Sequence, residues 1–149
     1  MQKIFENKFT EIYDISTEIP ETIYAIWRNY MTLENTEAVL ACEKSLEYIK
    51  SANIKVMISD HQYLEGATIP FLEWIQKYYF PKALENGLIA EIILISDHIL
   101  GNISLELMYN VNDLIKYQND KQLYTPRIDN LQNAKIVARQ IVEKSKLFV

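Results

Sequence analysis

The chain has 149 residues, a formal charge of −5, one cysteine, three glycines and four prolines. That length suits one domain (residues 1–149) whose core needs no disulfide or metal to fold. The absence of any lysine or arginine run excludes the clustered positive charge on which nucleic-acid binding rests. Cys42, standing alone, excludes a disulfide framework and a cysteine zinc site, and its helical neighbours make it a core thiol. No segment approaches the ~18 consecutive apolar residues of a membrane span. The first residues turn polar too soon for a signal peptide, so a cytoplasmic location is expected.

In chain order, residues 3–16 alternate loosely and read as one or two short strands with a turn near Glu6, Asn7 and Lys8. Residues 17–21 form a turn. Residues 22–30 are the clearest alternating strand, with Ile23, Ala25 and Trp27 on one face and Tyr24, Ile26 and Arg28 on the other. Connections this short open the sheet antiparallel. A long helix then runs to about Ala52, with Thr32 as N-cap and Leu33, Thr36, Val39, Cys42, Leu46 and Ile49 as its stripe.

Residues 54–60 give the first core strand and residues 61–67 a polar loop. Thr68 caps the next helix, with Pro70 in its first turn, where a missing N–H costs nothing. Pro81 is expected to break or kink that helix and to push Phe80 towards extended geometry. Residues 88–98 (LIAEIILISDH) form the central strand, too continuously apolar for a half-exposed one, after Gly87 stops the helix. A helix over 103–115 follows, carrying Leu105, Met108, Val111 and Ile115. Residues 118–122 make a loop, and residues 123–127 an edge strand in which Pro126 is tolerated. The last helix is capped by Asp129 or Asn130 and buries Leu131, Ala134, Val137, Ala138 and Ile141.

Strand and helix alternating over loops of this length predict an α/β fold. Its sheet is mixed and partly parallel, with about five to six strands, four helices and right-handed crossovers. With Ile26-Trp27-Arg28-Asn29-Tyr30-Met31-Thr32 before the long helix, Ile58-Ser59-Asp60 ending a core strand, and WIQKYYFP over 74–81 followed by Lys82-Ala83 and Gly87-Leu88, the chain resembles small bacterial STAS-like (STAS/SEC14-domain) proteins over roughly residues 8–145. The prototype of that group is the anti-sigma-factor antagonist of sporulation. The resemblance implies a βα sandwich used for regulation, protein–protein signalling or small-ligand sensing rather than catalysis. In the antagonists a serine after the core strand is phosphorylated; here Asp60-His61-Gln62-Tyr63 stands there, with no serine or threonine before Thr68. The phospho-switch does not carry over.

Two constellations compete with plain structural roles. Ile58-Ser59-Asp60-His61 and Ile95-Ser96-Asp97-His98 are the same four residues and hold both histidines of the chain. On adjacent parallel strands, about 4.8 Å apart, the two tips would lie side by side at carboxyl ends, where α/β proteins place ligands. Asp60, His61, Asp97 and His98 are then the candidate metal ligands. The plainer reading is turn-forming aspartates beside polar histidines. Asp60 and His61 point to opposite faces of a strand, which disfavours joint acid–base work.

The second constellation is aromatic: Phe71, Trp74, Tyr78, Tyr79 and Phe80, with Tyr63 nearby. Three aromatics in succession cannot all face the core, so an exposed patch near Tyr78 to Phe80 is expected. The candidate ligand or partner surface is therefore Asp60, His61, Tyr63, Trp74, Tyr78, Phe80, Asp97 and His98. Without a phosphate loop, a nucleophile elbow, a dinucleotide fingerprint or a His-Glu-x-x-His motif, no catalytic residue and no cofactor is assigned. The expected role is a non-catalytic interaction module whose partner is another protein, a second copy included. The alternatives are a carrier or sensor of a small apolar ligand, with Trp27, Phe71, Trp74 and Met108 lining its pocket, and a metal-dependent enzyme built on the Asp-His tips.

Overall fold

The computed structural model describes residues 1–114 and 121–148. Strands β1 (Gln2–Asn7), β2 (Thr10–Asp14) and β3 (Thr22–Met31) form an antiparallel meander. From β3 onward the sheet is parallel through β4 (Val56–Ala67), β5 (Ala90–Leu94) and β6 (Arg127–Ile128), giving a six-stranded mixed sheet in sequential order. Pro126 lies just before β6 on the sheet edge, and its carbonyl accepts from the Ile93 N–H.

The sequential order dictates the layering. Crossovers of one hand that all step in the same direction fall on the same face of a sheet. Helix α1 (Thr36–Ser51), the helical rod between β4 and β5, and α4 (Ile99–Leu114) share one core with Ile23, Ala25, Trp27, Met57 and Ile93. Helix α5 (Leu131–Ser145) covers the opposite face, burying Ala134, Ala138 and Val142 against Tyr24, Val56, Ile58 and Ile92, with Ile15 and Ile19 of the β2–β3 connection in the same cluster. All five residues of β5 are buried, as a parallel strand covered on both faces requires. Because β3 to β6 never reverse order, they offer no topological switch point to hold a ligand.

Four local expectations are corrected. Helix α1 starts at Thr36, not near Thr32: Asn35 is the N-cap and accepts from Glu37 N–H, while Thr32 Oγ1 accepts from Asn35 N–H in the preceding turn. Residues 61–67 are strand, because β4 continues along β3 past two irregularities, pairing Tyr63 with Arg28 and Ala67 with Met31. Ile95 lies beyond the end of β5 and is exposed.

Pro81 neither breaks the helix nor extends Phe80. After α2 (Ile69–Trp74) the rod widens into a π turn (Ile75–Tyr79), in which Phe80 N–H reaches back five residues to the Ile75 carbonyl. Pro81 then sits in the first turn of α3 (Phe80–Glu85), where the wider turn spares it a clash with the preceding carbonyls. Thr68, Gly87 and Asn130 take their expected roles: Thr68 and Asn130 accept from Phe71 and Asn133 N–H, and Gly87 has φ +107°. Leu105 and Met108 are buried; the side chain of Val111, and Ile115 with residues 118–120, lie outside the described residues.

Candidate functional site

The two ISDH segments do not lie side by side. Pairing aligns Ile58, Ser59 and Asp60 with Ile92, Ile93 and Leu94, so the second segment sits three residues further along, about 10 Å at the rise of a strand. It is clipped there to the far half of β4: Asp97 N–H donates to the Gln62 carbonyl and Ser96 Oγ donates to the Leu64 carbonyl at 2.6 Å. No group of three or more potential metal ligands gathers among the described residues.

Each tip residue has a local role. Asp60 is buried and accepts from the Tyr24 hydroxyl at 2.7 Å and from Gln62 N–H at 3.0 Å. His61 points into the opposite core, its Nδ1 3.3 Å from the Leu94 carbonyl and its ring edge-on to Tyr109. Burial drives its pKa down to about 4, so the ring is neutral. Asp97 accepts from Gln62 Nε2 at 3.1 Å, His98 is exposed, and Tyr63 stands half exposed on the outer part of β4.

The aromatic run does not form the expected exposed patch. Tyr79 and Phe80 are buried, because the π turn rotates both inward. Trp74 and Tyr78 are partly buried and pack on each other at 5.2 Å between ring centroids, and the Tyr78 hydroxyl reaches Glu43. The Tyr79 hydroxyl pairs with Ser45 Oγ at 2.8 Å, and burial holds both it and the Cys42 thiol well above their ordinary pKa.

The exposed apolar surface lies instead on α4. Ile99, Leu100, Ile103 and Leu107 are 80%, 62%, 50% and 49% exposed, a stripe at helical spacing on one side of the helix. The other side fixes the orientation. At Gly101 a Cβ would stand 2.2 Å from the Leu64 carbonyl oxygen, so α4 rests directly on β4 there, with Ser104, Leu105 and Met108 turned inward. Leu100 continues the stripe towards Gly66 and the half-exposed Tyr30 ring. Asp97, two residues before Ile99, and Glu106, next to Leu107 on α4, are both exposed beside the stripe along the chain.

Beneath α4 lies a second feature, a cavity of about 40 Å³ lined by apolar side chains including Trp27, Phe71, Ile75 and Met108, with Glu91 in its wall. Trp27, Phe71 and Met108 of the expected pocket meet here, whereas Trp74 does not line it. Glu91 is the lone charge in the apolar run of residues 88–94, and that was the one signal in the sequence that could have singled it out. It is 3% exposed. Ser59 Oγ donates to its Oε2 at 2.6 Å and the Tyr109 hydroxyl bonds the same carboxyl. Burial outweighs these donors and raises its pKa to about 7.

No family model, curated protein or solved structure matches this chain. No helix among the described residues is long and apolar enough to cross a membrane.

Proposed function

We propose that the protein is a non-catalytic interaction module that docks another protein on the outer face of α4. The observation that carries this reading is the stripe Ile99, Leu100, Ile103 and Leu107, which leaves a continuous apolar surface in water. Monomeric proteins rarely expose such patches unless a partner covers them. The exposed carboxylates of Asp97 and Glu106 beside the stripe favour one partner chemistry: an apolar helix or strand flanked by lysine or arginine. The same carboxylates, on a chain of net charge −5, disfavour a second copy of this chain and an anionic membrane surface on this face. The STAS-like resemblance, which implies regulation through protein contacts, points the same way.

Fluorescence anisotropy tests the proposal with two designed amphipathic helices, identical in their leucine face and edged by lysine or by glutamate. Saturable binding of the lysine-edged helix, weakened at least tenfold by Ile103→Glu, is expected. Equal binding of both helices, or no effect of Ile103→Glu, would refute the assignment. Sedimentation velocity showing a dimer that Ile103→Glu dissolves would give the face to a second copy instead.

A further inference from the structure

The β1 edge of the sheet is self-complementary. β1 is the outermost strand, so every second N–H and C=O along it faces away from the sheet. Its pairing with β2 carries one bulge: Lys3 opposes Tyr13 and Phe5 opposes Ile12, which leaves Ile4 as the extra residue. The bulge resets the faces of the strand. Ile4 and Phe5 both pack towards the α1 core, and Asn7 Nδ2 donates to the Glu37 carbonyl of α1. Lys3 and Glu6 lie together on the other face, 3.0 Å apart, with Lys3 Nζ over the ring of Tyr13, which packs on the α5 core.

Residues three apart on a regular strand point to opposite faces. With the bulge, β1 instead reads symmetrically about Ile4 and Phe5: Lys3 and Glu6 flank them on one face, and Gln2 and Asn7 lie outside. A two-fold axis through the bulge, normal to the sheet, lays a second β1 antiparallel beside the first with its faces preserved. Lys3 of each copy then meets Glu6 of the other, Gln2 meets Asn7, and the two pairs of Ile4 and Phe5 meet at the axis. The backbone agrees. Asn7 and Thr10 close a two-residue turn, so the alternation of an antiparallel pair aims the N–H and C=O of Glu6, and across the bulge those of Lys3, away from β2. Bulges and lysines ordinarily keep other strands off an edge. Here the bulge sits on the axis and the lysine meets a glutamate. Charge does not oppose the contact either. Although the chain carries −5, Lys3 and Arg28 are balanced at this edge by Glu6 and Glu11 through ion pairs of 2.9 to 3.5 Å. Ile4 and Phe5, partly buried, floor a groove beside Lys44, Glu47 and Tyr48 of α1, which their counterparts from a second copy would close.

We propose that β1 is an interface for a second copy of this chain: the two sheets join edge to edge, antiparallel, with Lys3 of each copy on Glu6 of the other. The interface is separate from the α4 docking face, and neither assignment depends on the other.

Sedimentation velocity of the whole chain over a concentration series tests it. The unaltered chain should dimerise reversibly. Lys3→Glu and Glu6→Lys each set like charges across the axis at two contacts, and each alone should weaken the dimer about tenfold. Mixed in equal amounts, the two variants bring opposite charges together at both contacts and should form a mixed dimer. A chain that stays monomeric at every concentration would overturn the proposal, as would a dimer that neither variant weakens. A dimer dissolved by Ile103→Glu but not by Lys3→Glu would place the contact on α4 and overturn it too. Should either variant fail to fold, amide hydrogen exchange of the unaltered chain decides. Exchange at Lys3 and Glu6 should slow as concentration rises, and rates independent of concentration would refute the interface.

Discussion

Glu91 and His61 lie in one core and titrate in opposite senses, which predicts a pH dependence visible only when one of them is removed. Glu91 has a folded pKa raised from 4.5 to about 7, so the native state holds a proton that the unfolded chain has released once the pH passes 4.5. Its contribution makes stability fall as pH rises towards 7. His61 has a folded pKa lowered from 6.5 to about 4, so below 6.5 the unfolded chain holds a proton that the native state does not. Its contribution makes stability rise with pH up to 6.5. At roughly 1.4 kcal/mol per pH unit each effect totals about 3 kcal/mol, and between pH 4.5 and 6.5 the two cancel. Urea unfolding across this range, read by the fluorescence of Trp27 and Trp74, checks the reasoning. Relative to the unaltered protein, Glu91→Gln should gain stability as pH rises and His61→Gln should lose it, by about 2 kcal/mol each over the window. Differences that stay constant with pH for both variants would refute the buried, neutral state of these side chains.

Gly101→Ala should cost about 3 kcal/mol by urea midpoint, because its methyl meets the Leu64 carbonyl oxygen at 2.2 Å and Ser96 Oγ at 2.4 Å and must lift α4 off β4. Asn53 ends α1 at φ +55°, so Asn53→Gly should leave the thermal midpoint unchanged or slightly higher, whereas Asn53→Val should cost about 1–2 kcal/mol.

The parts of this fold written locally were legible. The apolar runs at 54–60 and 88–94, Thr68 before Pro70, and Gly87 at a helix end each depend on neighbours in the chain. What was hidden depends on distant ones. The outer half of β4 looks like a loop because Gln62, Tyr63 and Glu65 are exposed, and only its pairing with β3 makes it a strand. Pro81 announced a break, yet the π turn before it absorbed the ring. The echoed ISDH segments suggested a shared tip, but register offsets them by three residues, a quantity that no local sequence carries. The inward side of α4 was legible at Leu105 and Met108, which are buried as their spacing predicts, whereas its close approach to β4 at Gly101 and the exposed stripe of Ile99 to Leu107 depend on the distant Leu64. Glu91 was visible as a lone charge, while its partner Ser59 lies 32 residues earlier.

The most direct measurement of the docking account is NMR shift mapping of the lysine-edged helix on the isotope-labelled chain. Shifts confined to Ile99, Leu100, Ile103 and Leu107, with Tyr30 at their margin, are expected. Shifts gathered on α1 or α5, with α4 silent, would contradict it.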